Sequence, residues 1–155
     1  MKNLTFLGLI LIAFSCKPLS DFPVSIEGEL KKWHKITLVL KGPDTSEMSE
    51  VNPFLDYRIE VTFNYEGKSY TVPGYFAADG NSGQTSAKEG NIWKVHFRPD
   101  AIGIWNYHVL FRKGENLAVL DERSEGEGVG PDGTMGHSIL RSLKKMVLIS
   151  VRKDA

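Results

Sequence analysis

The feature that most restricts the fold is an alternation of apolar and polar residues with a period of two. It is clearest in residues 57–66, YRIEVTFNYE, whose apolar positions are Tyr57, Ile59, Val61, Phe63 and Tyr65. This pattern predicts a half-buried β-strand, because successive side chains of a strand point to opposite faces of the sheet. A Glu66-Gly67 turn and a second alternating run follow, so residues 57–73 predict a β-hairpin.

The alternation recurs in residues 33–40, 93–98 and 105–112, and no segment between residues 24 and 120 shows a helical stripe. Several strands separated by turn residues predict an all-β fold, an antiparallel immunoglobulin-like β-sandwich. In FRPDAIGIWNYHVLF, residues 97–111, a corner with Pro and Gly separates two strands. We interpret Trp105 and Tyr107 after it as core and corner residues rather than as sugar-stacking residues.

The N-terminus predicts export. Lys2 precedes an apolar run at residues 7–14 that is too short to span a membrane, and Ser15-Cys16 follows. The segment IAFSC resembles a bacterial lipobox, in which the cysteine is diacylated, although Ala13 replaces the usual leucine. We expect residues 1–15 to be a lipoprotein signal peptide, Cys16 to be the lipidation site and residues 16–25 to be a linker. The expected location is the cell envelope, at the outer membrane. The alternative is plain secretion with a chance cysteine.

Composition narrows the function. The formal net charge is zero, so the long-range attraction to phosphate that a nucleic-acid-binding protein needs is missing, and we expect no nucleic-acid partner. A single cysteine allows no internal disulfide. The four histidines lie far apart without ligand spacing. Neither a catalytic motif nor a paired carboxylate stands out, so we expect no cofactor, no metal and no enzymatic activity from this chain.

Two long polar connections, residues 43–56 and 77–91, are where function is expected on a sandwich. Asp79-Gly80-Asn81 in the second offers two oxygen ligands for calcium or, on the simpler interpretation that we favour, forms a tight turn. Exposed aromatic residues that could stack on sugar rings are sought beside this connection and off the inward strand faces. The candidate ligand or partner surface therefore comprises Trp33, Tyr75, Phe76, Asp79 and Asn81.

Three short motifs occur in a fixed order: GYFAADGN, W-K-V-H-F-x-P-D and G-x-W-x-Y, between residues 74 and 107. Together they resemble the bacterial domain of unknown function 5060, over about residues 26–136, which we take as the sandwich domain. The resemblance implies an immunoglobulin-like sandwich at the N-terminus of exported proteins assigned as glycoside hydrolases. A larger catalytic domain of the (β/α)-barrel type is expected to follow. No catalytic residue is attributed to the sandwich itself.

Two functions are consistent with this resemblance and with the candidate aromatic residues. The first is a non-catalytic accessory module of a surface polysaccharide-degrading lipoprotein, with a glycoside hydrolase domain as its partner and the membrane contacted through lipid. The alternative is an autonomous carbohydrate-binding module with a polysaccharide ligand. Burial of Tyr75 and Phe76 would favour the accessory module, because a sugar-binding module needs exposed aromatic rings.

The C-terminal residues 137–155 match nothing before them. Residues 115–132 are acidic, whereas residues 138–155 are basic. Loss of one nucleotide near the codons of His137 and Ser138 would explain the change. With one base restored, the tail can end in a segment like the D-F-R-x-K-G-R-L lead into the catalytic region of family members. We therefore expect residues 137–155 to be an aberrant, poorly packed tail on a truncated chain whose hydrolase domain is missing. The alternative is a basic amphipathic helix.

Overall fold

The computed structural model describes residues 23–121 and 126–129, together with the backbone of residues 135–136 and 144–148. Cys16, the predicted signal peptide and most of the predicted linker lie outside the described residues. The strands are β1 (Val24–Glu27), β2 (Ile36–Ser46), β3 (Tyr57–Tyr65), β4 (Lys68–Pro73), β5 (Tyr75–Phe76), β6 (Glu89–Phe97), β7 (Gly103–Lys113), β8 (Glu127–Val129), β9 (Met135–Gly136) and β10 (Lys144–Leu148). Two short helical turns join them, α1 (Ser82–Thr85) and a 3-10 helix (Leu117–Val119).

The strands form two antiparallel sheets. The first has the order β1-β2-β6-β5, and the second has the order β4-β3-β7-β8-β9, with β10 also paired to β7. The predicted all-β, antiparallel immunoglobulin-like sandwich is therefore confirmed. No helix among the described residues is long and apolar enough to cross a membrane.

The core lies between the two sheets and is formed by the alternating positions. The second sheet buries Ile59, Val61, Phe63, Trp105, Tyr107, Val109 and Phe111, and the first buries Ile36, Leu38, Leu40, Trp93, Val95 and Phe97. Phe63 and Phe97 stack across the interface, with ring centroids 4.0 Å apart and planes 7° apart. Each fully buried side chain of this size contributes about 1.5–3 kcal/mol of transfer free energy.

The corner at residues 99–102 is held from both neighbouring strands. The Nε1–H of Trp105 donates a hydrogen bond to the carbonyl of Ala101 at 3.2 Å. The hydroxyl of Tyr65 donates to the carbonyl of Ile102 at 2.9 Å, and the Tyr65 and Trp105 rings stack 5.1 Å apart. The interpretation of Trp105 and Tyr107 as core and corner residues is confirmed.

The β3–β4 hairpin is also confirmed. Glu66 and Gly67 have φ values of 42° and 81°, so both turn residues are left-handed, as in the type I′ turns that match the twist of two-residue hairpins. The pairing continues from Tyr65 with Lys68 to Glu60 with Pro73.

The first long connection begins later than predicted. β2 runs to Ser46 and still pairs with β6 at Thr45 and Gly90, after an irregularity between Lys41 and Thr45. The continuation of β2 beyond Lys41 was not predicted, because Gly42-Pro43 interrupts the alternation of apolar and polar residues. Gly42 is required there, since a Cβ would lie 2.7 Å from Cδ1 of the buried Trp93 ring.

The chain changes sheets at Gly74, which we call the sheet crossing. β4 pairs with β3 in the second sheet, whereas β5 pairs with β6 in the first. The N–H of Gly74 donates to the carbonyl of Ile59 at 2.8 Å. A Cβ on Gly74 would lie 2.7 Å from Cγ2 of both Ile59 and Val95. The crossing therefore packs backbone directly against the core.

The C-terminal segment contributes one strand. β10 pairs with β7 from Lys144 opposite Tyr107 to Leu148 opposite Gly103. Since β3 also pairs with β7 at Asn106 and Tyr107, β10 lies along the other edge of β7. The side chains of β10 and the rest of residues 137–155 lie outside the described residues. The predictions of a poorly packed tail and of a frameshift therefore stay predictions.

Candidate functional site

An open groove of about 400 Å³ lies beside the sheet crossing. Its aromatic lining, which we call the aromatic groove, is Phe54, Tyr57, Tyr75, Phe76 and Trp93. These residues come from the connection before β3, from β3 itself, from β5 and from β6. The fold therefore assembles the groove from four segments that are separate in sequence.

Four of these rings, those of Phe54, Phe76, Trp93 and Tyr57, form a chain of edge-to-face and tilted contacts that leads from the surface into the core. The Phe54 and Phe76 rings meet edge to face with centroids 6.0 Å apart. The Phe76 and Trp93 centroids are 5.1 Å apart, and those of Tyr57 and Trp93 are 5.3 Å apart. Trp93 is fully buried, so the floor of the groove is fixed by core packing and is preformed for a ligand or partner.

Exposed apolar side chains lie beside the groove, and two of them, Phe54 and Leu120, contribute to its lining. Phe54 is 51% exposed, and Leu55, Val119 and Leu120 are exposed as well; we call these four residues the apolar rim. The two chain segments are joined, because the N–H of Ala118 donates to the carbonyl of Leu55 at 2.8 Å. Contiguous exposed apolar surface next to a pocket is typical of interaction sites.

Charged residues near the rim hold its backbone in place. The Asp56 carboxylate accepts hydrogen bonds from the N–H of Asn52 at 2.8 Å and from the N–H of Asn116 at 2.9 Å. The guanidinium of Arg58 donates to the carbonyl of Leu120. These contacts join the connection before β3 to the segment around the 3-10 helix, so the two backbone segments that carry the rim are held in a fixed relative position.

Tyr75 stands at the opposite side of the groove, on the solvent face of the first sheet. It is 44% exposed, and its hydroxyl lies 3.0 Å from Nε2 of His96. Nδ1 of His96 lies 2.9 Å from Oγ1 of Thr37, which is itself buried. Burial, and then the charges of Lys35 and Lys94, hold the pKa of His96 below its ordinary value. His96 is therefore neutral near pH 7 and bonds to both neighbours.

The predicted site residues fall into three places. Tyr75 and Phe76 meet in the aromatic groove, where Phe76 is only 5% exposed. Asp79 and Asn81 form one tight turn, since Oδ1 of Asp79 accepts the Asn81 N–H at 2.8 Å. The Thr85 hydroxyl, and then the Asn81 N–H, lower the pKa of Asp79. No cluster of three or more His, Cys, Asp or Glu residues suited to a metal occurs in the part of the chain that the structure describes.

Trp33 lies apart from the groove, beside the corner at Pro99. It is 61% exposed, and its N–H donates to the Pro99 carbonyl at 2.8 Å. Its φ of 66° is unusual for a bulky side chain. Phe54 and Leu55 were not among the predicted site residues, although they form an apolar pair inside an otherwise polar connection.

These features define a class: an antiparallel β-sandwich module that presents an aromatic groove and an apolar rim at a sheet crossing. A family model for a domain of unknown function (DUF5060) matches residues 29–112, and the chain belongs to that family. The predicted family is thereby confirmed.

One solved structure that the chain resembles is a "putative glycoside hydrolase" from Bacteroides vulgatus, at 19% identity and a TM-score of 0.44. The match covers 83% of this chain and 17% of that one, so the present chain spans about a sixth of that protein. No curated protein matches this sequence.

Proposed function

We propose that this chain is the non-catalytic accessory β-sandwich of an exported, lipid-anchored polysaccharide-degrading protein. A glycoside hydrolase domain docks on its aromatic groove and apolar rim. The single observation that carries the proposal is the apolar rim itself, which leaves Phe54, Leu55, Val119 and Leu120 exposed next to a preformed groove. Membership of the DUF5060 family supports the association with glycoside hydrolases through the resemblance set out above.

The chemistry of the rim favours a protein domain over a sugar. Three of its four side chains are aliphatic, and aliphatic side chains offer no flat face for a sugar ring. Protein interfaces have apolar and aromatic centres with polar edges, and a few such anchors supply most of the binding energy. The accessory role predicts that both Tyr75 and Phe76 are buried. Phe76 is buried and has no free face for stacking, whereas Tyr75 is 44% exposed and does not meet this prediction.

Four carboxylates outside the groove have structural contacts, which suits an accessory module. A general acid in a glycosidase needs a raised pKa. Here, contacts with Lys31 lower the pKa of Glu29, and hydrogen bonding from Lys68 lowers the pKa of Asp100. Asp56 and Asp79 serve as acceptors that hold turns. These carboxylates act as structural groups.

The docking role is tested by measuring binding to the isolated hydrolase domain of a DUF5060-family protein that contains both domains. Phe54→Ala is expected to weaken binding at least about tenfold, the effect of a moderate interface anchor. Met48→Ala is the matched control, because Met48 is 81% exposed and belongs to the same connection but not to the groove. Equal affinities of the two variants would remove the docking proposal.

Absence of catalysis is tested by assaying the purified chain on a panel of polysaccharides. No turnover is expected. Reproducible turnover that one acidic substitution abolishes would show that the chain is an enzyme.

Lipid anchoring at Cys16 belongs to the same proposal. The mature chain is expected to begin at Cys16 and to carry acyl groups, which intact-mass measurement of membrane-extracted protein would detect. Cys16→Ala is expected to release the chain from the membrane fraction. A mature chain without lipid would contradict lipid anchoring and would favour simple secretion of the protein.

An autonomous carbohydrate-binding module is the second candidate, and one observation favours it. Trp33 and Tyr75 are large aromatic residues with much of their rings exposed, and Trp33 keeps its exposure in a backbone conformation that costs free energy. Under this function Trp33→Ala would weaken binding to a glycan without lowering the melting temperature.

A further inference from the structure

The solvent side of the first sheet concentrates positive charge. Ile36, Leu38 and Leu40 of β2 and Trp93, Val95 and Phe97 of β6 face the core, so the residues between them face solvent. The cross-strand register pairs Thr37 with His96, Val39 with Lys94 and Lys41 with Ile92. The outward cations are Lys35, Lys41, Lys94 and Arg98; with Tyr75 and His96 they form what we call the basic face.

Few acidic residues of the part of the chain that the structure describes lie close enough to neutralise these cations. Residues 35–41 and 92–98 contain no acidic residue. Lys35, Lys41 and Arg98 form no ion pair with another described residue, and the ammonium of Lys94 donates to the neutral carbonyl of Gly80 at 2.5 Å. Two carboxylates lie near this side. Glu27 on the edge strand β1 pairs with Thr37. The Thr85 hydroxyl, and to a smaller extent the charge of Lys94, lower the pKa of Asp79. The face is therefore locally cationic on a chain of zero net charge.

The aromatic ring of Tyr75 lies among these cations. Tyr75 pairs with Lys94 across β5 and β6, and its hydroxyl is engaged by His96, which is in turn engaged by Thr37. The Tyr75 and His96 ring centroids are 5.5 Å apart. These contacts fix the ring before any ligand arrives, so little side-chain entropy remains to be lost on binding.

We infer that the basic face binds an acidic polysaccharide, with a sugar ring against Tyr75 and its carboxylate or sulfate groups against Lys35, Lys94 and Arg98. Outward residues repeat about every 6.6–6.8 Å along a strand and about 5 Å across neighbouring strands. A polymer that repeats an anionic group can therefore contact several cations at once. The inference rests on the proposed role in polysaccharide degradation, but not on docking at the apolar rim.

An anionic lipid surface fits these observations less well. Membrane binding by a basic surface is reinforced by apolar side chains that enter the interface. Here the solvent-facing aliphatic side chains, Val39 and Ile92, are half-buried between their neighbours. The large exposed side chain is Tyr75, whose hydroxyl already has a partner.

The test measures binding of the purified chain to polygalacturonate, to dextran sulfate and to neutral dextran by isothermal titration calorimetry. Binding to at least one acidic polymer is expected, with affinity that falls as ionic strength rises. Polygalacturonate and dextran sulfate separate carboxylate from sulfate recognition. Binding to dextran as tight as to both acidic polymers, or no binding to either acidic polymer, would overturn the inference.

Matched variants locate the site. Lys35→Gln and Arg98→Gln should each weaken binding about two- to fivefold, the range for an exposed charge. Lys88→Gln removes the same charge from an exposed lysine outside the basic face, in the connection before β6, and should leave affinity unchanged. Tyr75→Ala should weaken binding to both kinds of anionic group, whereas Tyr75→Phe retains the ring and should keep most of the affinity. Thermal unfolding of each variant confirms that it is folded.

Two further outcomes separate this inference from its alternatives. Binding to vesicles of equimolar phosphatidylcholine and phosphatidylglycerol without binding to either acidic polymer would assign the face to membranes and overturn the inference. Acidic-polymer binding that survives Phe54→Ala, together with failure of hydrolase-domain docking, would contradict the docking proposal and leave the basic face supported. Loss of polymer binding in Lys88→Gln as large as in Arg98→Gln would show that the polymer responds to positive charge anywhere on the chain, and would overturn the inference.

Discussion

Replacing Gly74 with alanine tests whether the sheet crossing depends on the absence of a side chain. The new Cβ would lie 2.7 Å from Cγ2 of Ile59 and of Val95, and 2.9 Å from the carbonyl oxygen of Lys94. All three distances are below van der Waals contact. The two methyl groups belong to buried residues, and the carbonyl belongs to a strand paired on both sides. The crossing must therefore move away from the core.

The expected loss follows from this geometry. Overpacking of a core by one methyl group costs about 1–3 kcal/mol. Alanine also reduces the entropy of the unfolded chain relative to glycine, which offsets about 0.4–1 kcal/mol. The net loss lies between about 0 and 2.6 kcal/mol. Because three contacts are too short at once, we expect Gly74→Ala to lower the free energy of unfolding by about 1–2 kcal/mol, against the about 5–15 kcal/mol typical of a domain.

Urea denaturation followed by tryptophan fluorescence measures this loss, since Trp93 and Trp105 are both buried. Gly83→Ala is the matched control, because Gly83 lies in α1 and a Cβ there would meet no atom within 4 Å. That variant should unfold within about 0.5 kcal/mol of the natural chain or be slightly stabilised. If both variants have the same urea midpoint, the close approach at the crossing is refuted.

Three other perturbations test separate contacts. Trp105→Phe removes the donor to the Ala101 carbonyl and should lower the free energy of unfolding by about 1–3 kcal/mol in urea, because that carbonyl loses its partner; an unchanged midpoint would contradict the corner assignment. Asp56→Ala removes the acceptor of two backbone N–H groups and should cost about 1.5–3 kcal/mol, measured as a lower melting temperature together with weaker hydrolase-domain binding. Since burial first, and then Lys35 and Lys94, depress the pKa of His96 below 6.5, the unfolded chain takes up a proton before the folded chain does. The contribution of neutral His96 to the free energy of unfolding is therefore present above about pH 6.5 and is lost as the pH falls below that value. Across this pH range, the urea midpoint should fall less in His96→Gln than in the natural chain.

The sequence predicted the elements whose buried side chains repeat with period two. β3 and β7 were recognised because Ile59, Val61 and Phe63, and the aromatic residues of β7, all face one side of their strands. β4 has no fully buried residue and was recognised from the Glu66-Gly67 turn that precedes it. The corner at residues 99–102 was recognised for the same reason. Periodicity is local, and these strands are long enough to display it.

The groove could not be predicted in that way. β5 has two residues, which is too short for a period, so nothing in the sequence showed that Tyr75 faces solvent while Phe76 faces the core. Phe54 and Leu55 form the apolar rim together with Val119 and Leu120, which lie about 65 residues further along the chain. These two segments come together through the topology of the fold, which local sequence patterns do not show. The outward charges of the first sheet likewise become a single face through the register of β2 with β6.

The two ladders at the centre of the sandwich both join strands that are far apart in the chain: Ile36 pairs with Phe97, and Tyr57 pairs with Lys113. Closing such long loops costs conformational entropy before the contacts between the strands can form. All-β domains of this kind therefore fold in about milliseconds to seconds. The β3–β4 hairpin closes through a two-residue turn, and hairpins form in about 1–10 μs. This hairpin is therefore expected to be the first part of the sheet to form. Until β7 and the opposite sheet pack against it, the hairpin exposes Val61 and Phe63, which the finished core buries completely.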